Sequence, residues 1–191
     1  IYKEPTLDQV AITSQGLAGD WIADMDRHGG ADQAVYLYSA ADYEWWEKGL
    51  GQKIAYGTFG ENLTLTHFGQ QLLRIGDRFM INDVVLEITF GRVPCATLGA
   101  RMNAPKFVKQ FVDAGRCGVY ARVLQTGTIQ QGDPVSLLPA AQKYPTVQAL
   151  YDLFHAKERD PDLLRRGLEA PIASRARRAF QHWFDQSMLQ D

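Results

Sequence analysis

Residues 84–95 have the sequence Val84-Val85-Leu86-Glu87-Ile88-Thr89-Phe90-Gly91-Arg92-Val93-Pro94-Cys95. Apolar side chains at positions 86, 88 and 90 alternate with polar ones, and this period of two predicts a strand with one face toward a core. Gly91 and Pro94 then predict a turn that leaves the strand. The stretch therefore predicts a buried strand with a cysteine thiol, that of Cys95, just beyond its end.

Strands of the same kind are predicted on both sides of this stretch. Residues 34–38 are rich in β-branched and aromatic side chains, and Asn82-Asp83 predicts a tight hairpin turn before residue 84. The remaining strand candidates are 10–12, 61–65, 78–81, 120–124 and 135–138. Gly76-Asp77 and Gly132-Asp133 each lead into a strand. Many short strands joined by such turns indicate a curved or closed sheet, although Gly-Asp is also common turn chemistry.

Two helices are predicted among these strands. Ser39 is the predicted cap of a helix over 40–48 that stops at Gly49. Asn103 is the predicted cap of a second helix over 104–114, which Gly115 ends. Strands and inserted helices together predict a mixed, β-rich α+β fold with a curved or closed, barrel-like sheet.

The apolar pattern changes to the helical period of 3.6 from Tyr144 onward. Thr146, Asp160 and Ser174 are the predicted caps of three helices. The sequence therefore predicts a β-barrel-like domain over residues 1–141 and a small three-helix domain over residues 142–191. The charged residues of the second domain form either a solvated surface or a docking surface for a partner.

The composition is that of a soluble globular protein, because 46% of the 191 residues are hydrophobic and 22% are charged. A net charge of -2 gives no general attraction to nucleic acid or to anionic lipid, and no apolar run is long enough to span a bilayer. Two cysteines form no disulfide framework and favour a reducing cytoplasm. No signal peptide is recognisable, and because the chain opens at Ile1 we expect its natural N-terminus to be missing.

Cys95 is the strongest candidate for chemistry. Arg92, three residues earlier, is expected to lower the pKa of the thiol and to favour the thiolate, which is the form that binds a soft metal. The alternative is that Cys95, like most unpaired cysteines, is a small buried hydrophobic residue. Cys117 begins a strand, so we expect it to be structural and mostly buried, whereas Cys95 is expected to be accessible.

Two loops carry further polar candidates. His28 precedes Gly29-Gly30, a pair that allows the backbone to approach a ligand closely. Glu61 and Asn62 follow a glycine-flanked turn and enter a strand. In each loop the polar side chains either contact a ligand or brace the loop by hydrogen bonds, and residue types alone leave both roles open.

The order of the motifs along the chain is more specific than any one of them. It runs Gly16-Leu17-Ala18-Gly19-Asp20, His28-Gly29-Gly30, Phe59-Gly60-Glu61-Asn62-Leu63, Gly76-Asp77, Arg92-Val93-Pro94-Cys95, Gly115-Arg116-Cys117-Gly118 and Gly132-Asp133. Over nearly the whole chain this order resembles the MOSC family, named for the C-terminal domain of molybdenum cofactor sulfurases. It resembles the small bacterial subgroup linked to resistance to 6-hydroxylaminopurine, and the three predicted C-terminal helices resemble the helical domain appended there.

The resemblance implies a molybdenum centre held by one cysteine, and only Cys95 matches that cysteine. The other residues that match pocket motifs are His28, Glu61, Asn62 and Arg92, and Arg27 is added because it adjoins His28. Two features depart from the family pattern: residues that usually precede Ile1 are absent, together with their strand, and Thr97 stands where some relatives have a basic residue. Multidomain sulfurases bind pyridoxal phosphate in a domain that this chain lacks, so that cofactor is not expected.

The function implied by the resemblance is that of a molybdenum-cofactor oxidoreductase that reduces N-hydroxylated compounds, such as hydroxylaminopurines, to amines. Cys95 then holds the metal, Arg92 and Arg27 pair with the pterin phosphate, and His28 donates a proton. The expected partners are an electron-donating reductase and a small N-hydroxylated substrate. Binding to nucleic acid or to a membrane is not expected, and the sequence leaves open whether the protein forms a homodimer. The alternatives are a non-catalytic carrier of the cofactor or of sulfur on Cys95, and a scaffold in which Cys95 is structural.

Overall fold

The computed structural model describes residues 3–21, 29–140 and 144–189. Within these ranges the strands are β1 (Val10–Thr13), β2 (Gly16–Leu17), β3 (Val35–Ser39), β4 (Leu63–Leu65), β5 (Arg78–Ile81), β6 (Val84–Gly91), β7 (Val119–Gln125), β8 (Gly127–Ile129) and β9 (Val135–Leu138). The α-helices are α1 (Ala40–Leu50), α2 (Ala96–Arg101), α3 (Phe107–Ala114), α4 (Val147–His155), α5 (Pro161–Glu169) and α6 (Ser174–Ser187). One turn of 3-10 helix, Ala31–Gln33, precedes β3.

Six of the strands form one curled, half-barrel sheet in the order β4-β3-β7-β6-β5-β9. Only β3 and β4, which α1 connects, are parallel neighbours in it, and the other pairs are antiparallel. A second sheet has the order β2-β1-β8. The predicted mixed α+β fold with a strongly curved sheet is therefore confirmed. No helix in the described part of the chain is long and apolar enough to cross a membrane.

Strand β6 lies at the centre of the fold, and Leu86 and Ile88 are fully buried. The prediction of a single core face is wrong, because the alternating polar residues are buried as well: Thr89 is 0% and Glu87 7% exposed, and Glu87 pairs with Arg78 of the neighbouring strand at 3.0 Å. The predicted hairpin is present, because Ile81 pairs with Val84 across the two turn residues. The first of these, Asn82, has a φ of 51°, as the primed hairpin turns require.

The predicted helix over 104–114 is wrong at its start. Asn103 does not cap it but lies in a turn with a φ of 48°, and α3 begins at Phe107. The reason is Pro105, because a proline disfavours the helical conformation at the residue before it. The short helix α2, over Ala96–Arg101, was not predicted. The predicted stop of the first helix, at Gly49, lies two residues early, since α1 runs to Leu50 and its C-cap is Gly51, in the left-handed conformation.

The three predicted C-terminal helices are present, and they pack against the end of β6. The ring of Phe90 lies 5.8 Å from that of Phe154 and 5.9 Å from that of Phe180. Gly91 is the last residue of β6 rather than a turn residue, and a Cβ there would lie 2.7 Å from the sulfur of Cys117. A Cβ would also lie 3.1 Å and 3.3 Å from the side chains of Tyr151 and Val147, so the absence of a side chain at Gly91 leaves room for α4. Whether 1–141 and 142–191 fold independently stays a prediction.

Candidate functional site

Cys95 lies directly before α2, in the short connection that follows β6. Its side chain is half-buried and forms no disulfide. The pKa of the Cys95 thiol lies below its usual value, because the rise caused by partial burial is outweighed by hydrogen bonds to Thr97 and Leu98 and by the positive charge of Arg92. The thiolate, which is the nucleophilic and metal-binding form, is thus favoured here. The predicted effect of Arg92 on Cys95 has the expected direction.

Arg92 is 5% exposed, so its guanidinium is a buried positive charge. It donates a hydrogen bond to the carbonyl oxygen of Phe59 and lies 5.2 Å from the ring centre of Tyr36. In the part of the chain that the structure describes, no carboxylate forms an ion pair with it. Among the described groups, the hydroxyls of Tyr36 and Tyr120 and the thiol of Cys95 act on this charge.

Two tyrosines form the wall next to Arg92. Tyr36 and Tyr120 face each other across β3 and β7, with ring centres 5.0 Å apart. Burial raises the pKa of both hydroxyls, so both stay protonated, and the Tyr36 hydroxyl donates to the carbonyl of Cys117 at 2.9 Å. Of the charges near them, Arg92 has the largest effect on the pKa of both hydroxyls and lowers it. The cluster of Cys95, Arg92, Tyr36 and Tyr120 is called the thiol site below.

Glu61 lies beneath α1 and is 3% exposed. Its Oε1 accepts hydrogen bonds from the Tyr43 hydroxyl at 2.5 Å, the Gly57 amide at 2.7 Å and the Thr64 hydroxyl at 3.1 Å. Its Oε2 is buried without a hydrogen-bond partner among the described residues. These three contacts, which reach α1, the loop after it and β4, support the bracing alternative for Glu61, whereas the unpartnered Oε2 keeps a ligand role open.

Asn62 connects three parts of the chain. Its Oδ1 accepts from the Tyr36 amide at 2.9 Å, and its Nδ2 donates to Asp20 at 2.7 Å. Its own amide donates to the Tyr36 carbonyl at 2.8 Å. Both ends of the Asn62 amide group therefore have internal partners, which supports a role in fixing β3, and with it Tyr36, at the thiol site.

The remaining predicted site residues, Arg27 and His28, lie outside the described residues. Cys117 is buried, as predicted, and burial raises the pKa of its thiol to about 12. It is therefore the inert cysteine of the pair. No group of three or more His, Cys, Asp or Glu side chains able to hold a metal ion occurs in the described ranges. Two clefts among the described residues lie along α1, and neither is lined by a residue of the thiol site.

The structure thus defines a class of protein: a curled mixed sheet with a half-buried cysteine of lowered thiol pKa shortly after the end of a central strand, and a buried arginine three residues before it. Residues 24–136 match the MOSC domain, and the chain belongs to the MOSC domain family. It is 33% identical over 148 residues to the protein YflK of Bacillus subtilis, covering 78% of this chain and 67% of YflK. It is 36% identical over 142 residues to a Gibberella moniliformis protein named Reductase, covering 72% of this chain but only 25% of that protein.

The fold has a close structural counterpart in YiiM from Geobacillus stearothermophilus. The TM-score is 0.82 at 24% sequence identity, and the match covers 94% of this chain and 86% of that one. At this identity the likeness concerns the fold. Because the match covers most of this chain, it includes the C-terminal helices as well as the sheet.

The sequence did not reveal the tyrosines of the thiol site. Tyr36 and Tyr120 looked like ordinary strand residues, and only the β3–β7 register places them together. A signal was present, because both belong to predicted strands and aromatic residues pair across neighbouring strands. Which strands are neighbours, however, depends on the whole topology.

Proposed function

We propose that the protein binds the molybdenum cofactor at the thiol site and uses it to reduce N-hydroxylated small molecules to amines. The observation that carries this proposal is the half-buried thiol of Cys95, three residues after the buried Arg92. A half-buried thiol of lowered pKa offers a soft ligand. A buried guanidinium with no carboxylate partner in the described ranges offers a positive charge to an anion.

These two residues fit the cofactor. Cys95 would be the protein's soft ligand for the metal of the cofactor, and Arg92 would stabilise the negative charge of the thiolate and of the bound group. Glu61 and Asn62 act by fixing the loop and β3 around the site, as their internal hydrogen bonds support.

When bound, the cofactor supplies the two-electron redox chemistry, and the protein supplies binding, orientation and protons. The overall reaction is balanced as R–NHOH plus two electrons and two protons, giving R–NH2 and water. His28 is proposed to deliver one proton to the departing oxygen, and Arg27 to join Arg92 in binding the pterin phosphate. The electrons come from a separate reductase, and a cytoplasmic setting suits both partners. The name of the fungal relative, Reductase, supports the same class of reaction.

The test is turnover of a hydroxylaminopurine by protein made in cells that synthesise the molybdenum cofactor. Amine product is quantified with a chemical electron donor in excess. We expect many equivalents of product per protein and none from Cys95→Ser, because a serine hydroxyl has a far higher pKa and is a poor ligand for a soft metal. Cys117→Ala is the matched control, since it also removes one thiol but leaves Cys95 in place.

Full activity in Cys95→Ser would contradict the proposal. Stoichiometric binding of the cofactor without turnover, across several donors and substrates, would instead support the carrier role of Cys95. His28→Ala is expected to slow turnover by roughly 10²–10⁴-fold, the usual effect of losing a general acid. It should leave the molybdenum content unchanged, because Cys95 is the proposed protein ligand.

A further inference from the structure

A cleft of about 320 Å³ lies along α1 and shares no residue with the thiol site. Pockets that hold small molecules begin at about this volume. The lining combines aromatic rings with charged side chains, and the residues that carry the argument are Tyr43, Tyr56, Glu44, Glu47 and Lys53. The function proposed above leaves this cleft without a role.

The two rings of the cleft are positioned by one buried carboxylate oxygen. Tyr43 and Tyr56 meet edge to face, with ring centres 5.0 Å apart and 70° between the ring planes. Oε1 of Glu61 accepts hydrogen bonds from the Tyr43 hydroxyl at 2.5 Å and from the Gly57 amide at 2.7 Å. Gly57 directly follows Tyr56, so the same oxygen fixes both ring-bearing segments. Tyr43 is 1% exposed and Tyr56 is 47% exposed, which gives the cleft one buried ring and one open ring.

The hydroxyl of the buried ring is bonded to a negative charge. Within residues 3–21, 29–140 and 144–189, Glu61 forms no ion pair and its Oε2 has no hydrogen-bond partner. Burial and the charge of Glu61 raise the pKa of Tyr43, so its hydroxyl stays a donor to this carboxylate. A hydroxyl that donates to an anion makes its ring richer in electrons, and the face of such a ring attracts cations.

The charged side chains of the cleft are two carboxylates and one ammonium group. Lys53 binds Oε2 of Glu47 at 2.7 Å, and Oε1 of Glu47 accepts a hydrogen bond from the Ile54 amide at 2.9 Å. Glu44 forms no ion pair in the part of the chain that the structure describes. The pKa of Lys53 lies above its usual value because of its hydrogen bond to Glu47, the charge of Glu47 and, less strongly, the charge of Glu44. The cleft thus already stabilises one positive charge and keeps the carboxylate of Glu44 for another.

We propose that this cleft is a binding site for a small organic cation, such as a quaternary ammonium or an alkylated amine. The cation packs against the rings of Tyr43 and Tyr56, and the charge of Glu44 attracts it. Lys53 competes with it for the negative charge of the cleft. The inference goes beyond the proposed function and does not rest on it, because the cleft contains none of the residues proposed to bind the cofactor.

The test titrates the full chain with tetramethylammonium chloride and, separately, with tert-butyl alcohol, a neutral molecule of similar shape. Binding is followed through the NMR shifts of the backbone amides, with sodium chloride at equal ionic strength as the reference for screening. We expect saturable shifts at Tyr43, Glu44 and Tyr56 with the cation. The alcohol should bind much more weakly, because only the cation gains from the ring faces and the carboxylate.

Four variants separate the contributions to binding. Tyr56→Leu removes the open ring and should weaken binding of tetramethylammonium about two- to fivefold, whereas Tyr56→Phe keeps the ring and should bind like the native chain. Glu44→Gln should weaken binding about two- to fivefold, and less at high salt. Lys53→Gln removes the competing ammonium group and should tighten binding about two- to fivefold. The matched control for Glu44 is Glu158→Gln, which removes an exposed carboxylate outside the cleft and should leave binding unchanged.

Equal binding of the alcohol and the cation would overturn the proposal, and so would shifts confined to residues outside the cleft. Unchanged affinity in both Tyr56→Leu and Glu44→Gln would also overturn it, and so would weaker binding by Lys53→Gln. None of these measurements needs molybdenum or turnover. A failure here is therefore distinguishable from a failure of the proposed reaction.

Discussion

Replacement of Glu61 tests whether its buried carboxylate braces the loop after α1. The perturbation is Glu61→Ala, compared with Glu61→Gln and with Tyr43→Phe. In the native protein a single oxygen of Glu61 accepts three hydrogen bonds, two of them from the buried Tyr43 hydroxyl and the buried Gly57 amide. Burial and the charge of Glu61 raise the pKa of Tyr43, so this hydroxyl remains the donor.

The magnitude follows from which groups lose their partners. Leaving a buried donor unsatisfied costs about 1–3 kcal/mol, and Glu61→Ala does so for Tyr43 and Gly57. We therefore expect its free energy of unfolding to fall by about 3–5 kcal/mol. Glu61→Gln keeps an acceptor but loses the charge, and a hydrogen bond to a neutral acceptor is roughly half as strong as one to a carboxylate. We therefore expect the free energy of unfolding to fall by about 1–3 kcal/mol in this variant. Tyr43→Phe removes one bond and should cost about 1–2 kcal/mol.

Unfolding in urea is monitored by circular dichroism, and the double variant Glu61→Gln plus Tyr43→Phe completes a double-mutant cycle. A coupling of at least about 0.5 kcal/mol is expected, since the two groups are in contact. A Glu61→Ala protein as stable as the native chain would refute the bracing argument. The same variant, if folded, also separates the two roles of Glu61: an unchanged molybdenum content supports a brace, and a lowered content supports contact with the cofactor through Oε2.

Three further predictions concern stability. Gly118→Ala should lower the melting temperature strongly or prevent folding, because Gly118 has a φ of 61° and a Cβ there would lie 2.5 Å from the Leu37 carbonyl oxygen; unaltered melting would contradict this. The pKa of Asp32 lies below its usual value, since the hydrogen bonds from Ser174 and the charge of Arg122 outweigh the effect of burial. A depressed pKa stabilises the fold above the unfolded value of about 3.9, and this stabilisation is lost as the pH falls through the folded pKa. The difference in urea midpoint between the native chain and Asp32→Asn should therefore shrink below about pH 4, and a constant difference would argue against it. A chain ending at Ala141 should keep a cooperative melt but become less soluble, because Phe90 loses its cover; loss of the cooperative transition would make the helices part of the core.

The strands and the C-terminal helices could be predicted because their signals are local. The alternation of side chains along residues 84–90 identifies β6. The predicted cap of α1, Ser39, accepts a hydrogen bond from the amide of Asp42 at 3.0 Å. The cap predicted for the last helix was the wrong residue, since the cap is Ala173 and the Ser174 hydroxyl instead binds Asp32. A partner so distant in sequence leaves no local pattern.

The site could be predicted only in part for the same reason. The proximity of Arg92 to Cys95 follows from their separation of only three positions in the sequence. Arg92 is nevertheless oriented by the Phe59 carbonyl and the Tyr36 ring, which the sheet topology brings to it. The role of Gly91 was also misassigned, because a glycine that admits a neighbouring helix looks the same in sequence as one that turns the chain.

The most direct test of the central claim is the molar ratio of molybdenum to protein. It is measured by elemental analysis of the full chain purified from cells that synthesise the cofactor, alongside Cys95→Ser and Cys117→Ala. We expect a ratio approaching one in the native chain and in Cys117→Ala, and a ratio near zero in a folded Cys95→Ser. Equal molybdenum in the native chain and in Cys95→Ser would contradict the assignment of Cys95 as the ligand.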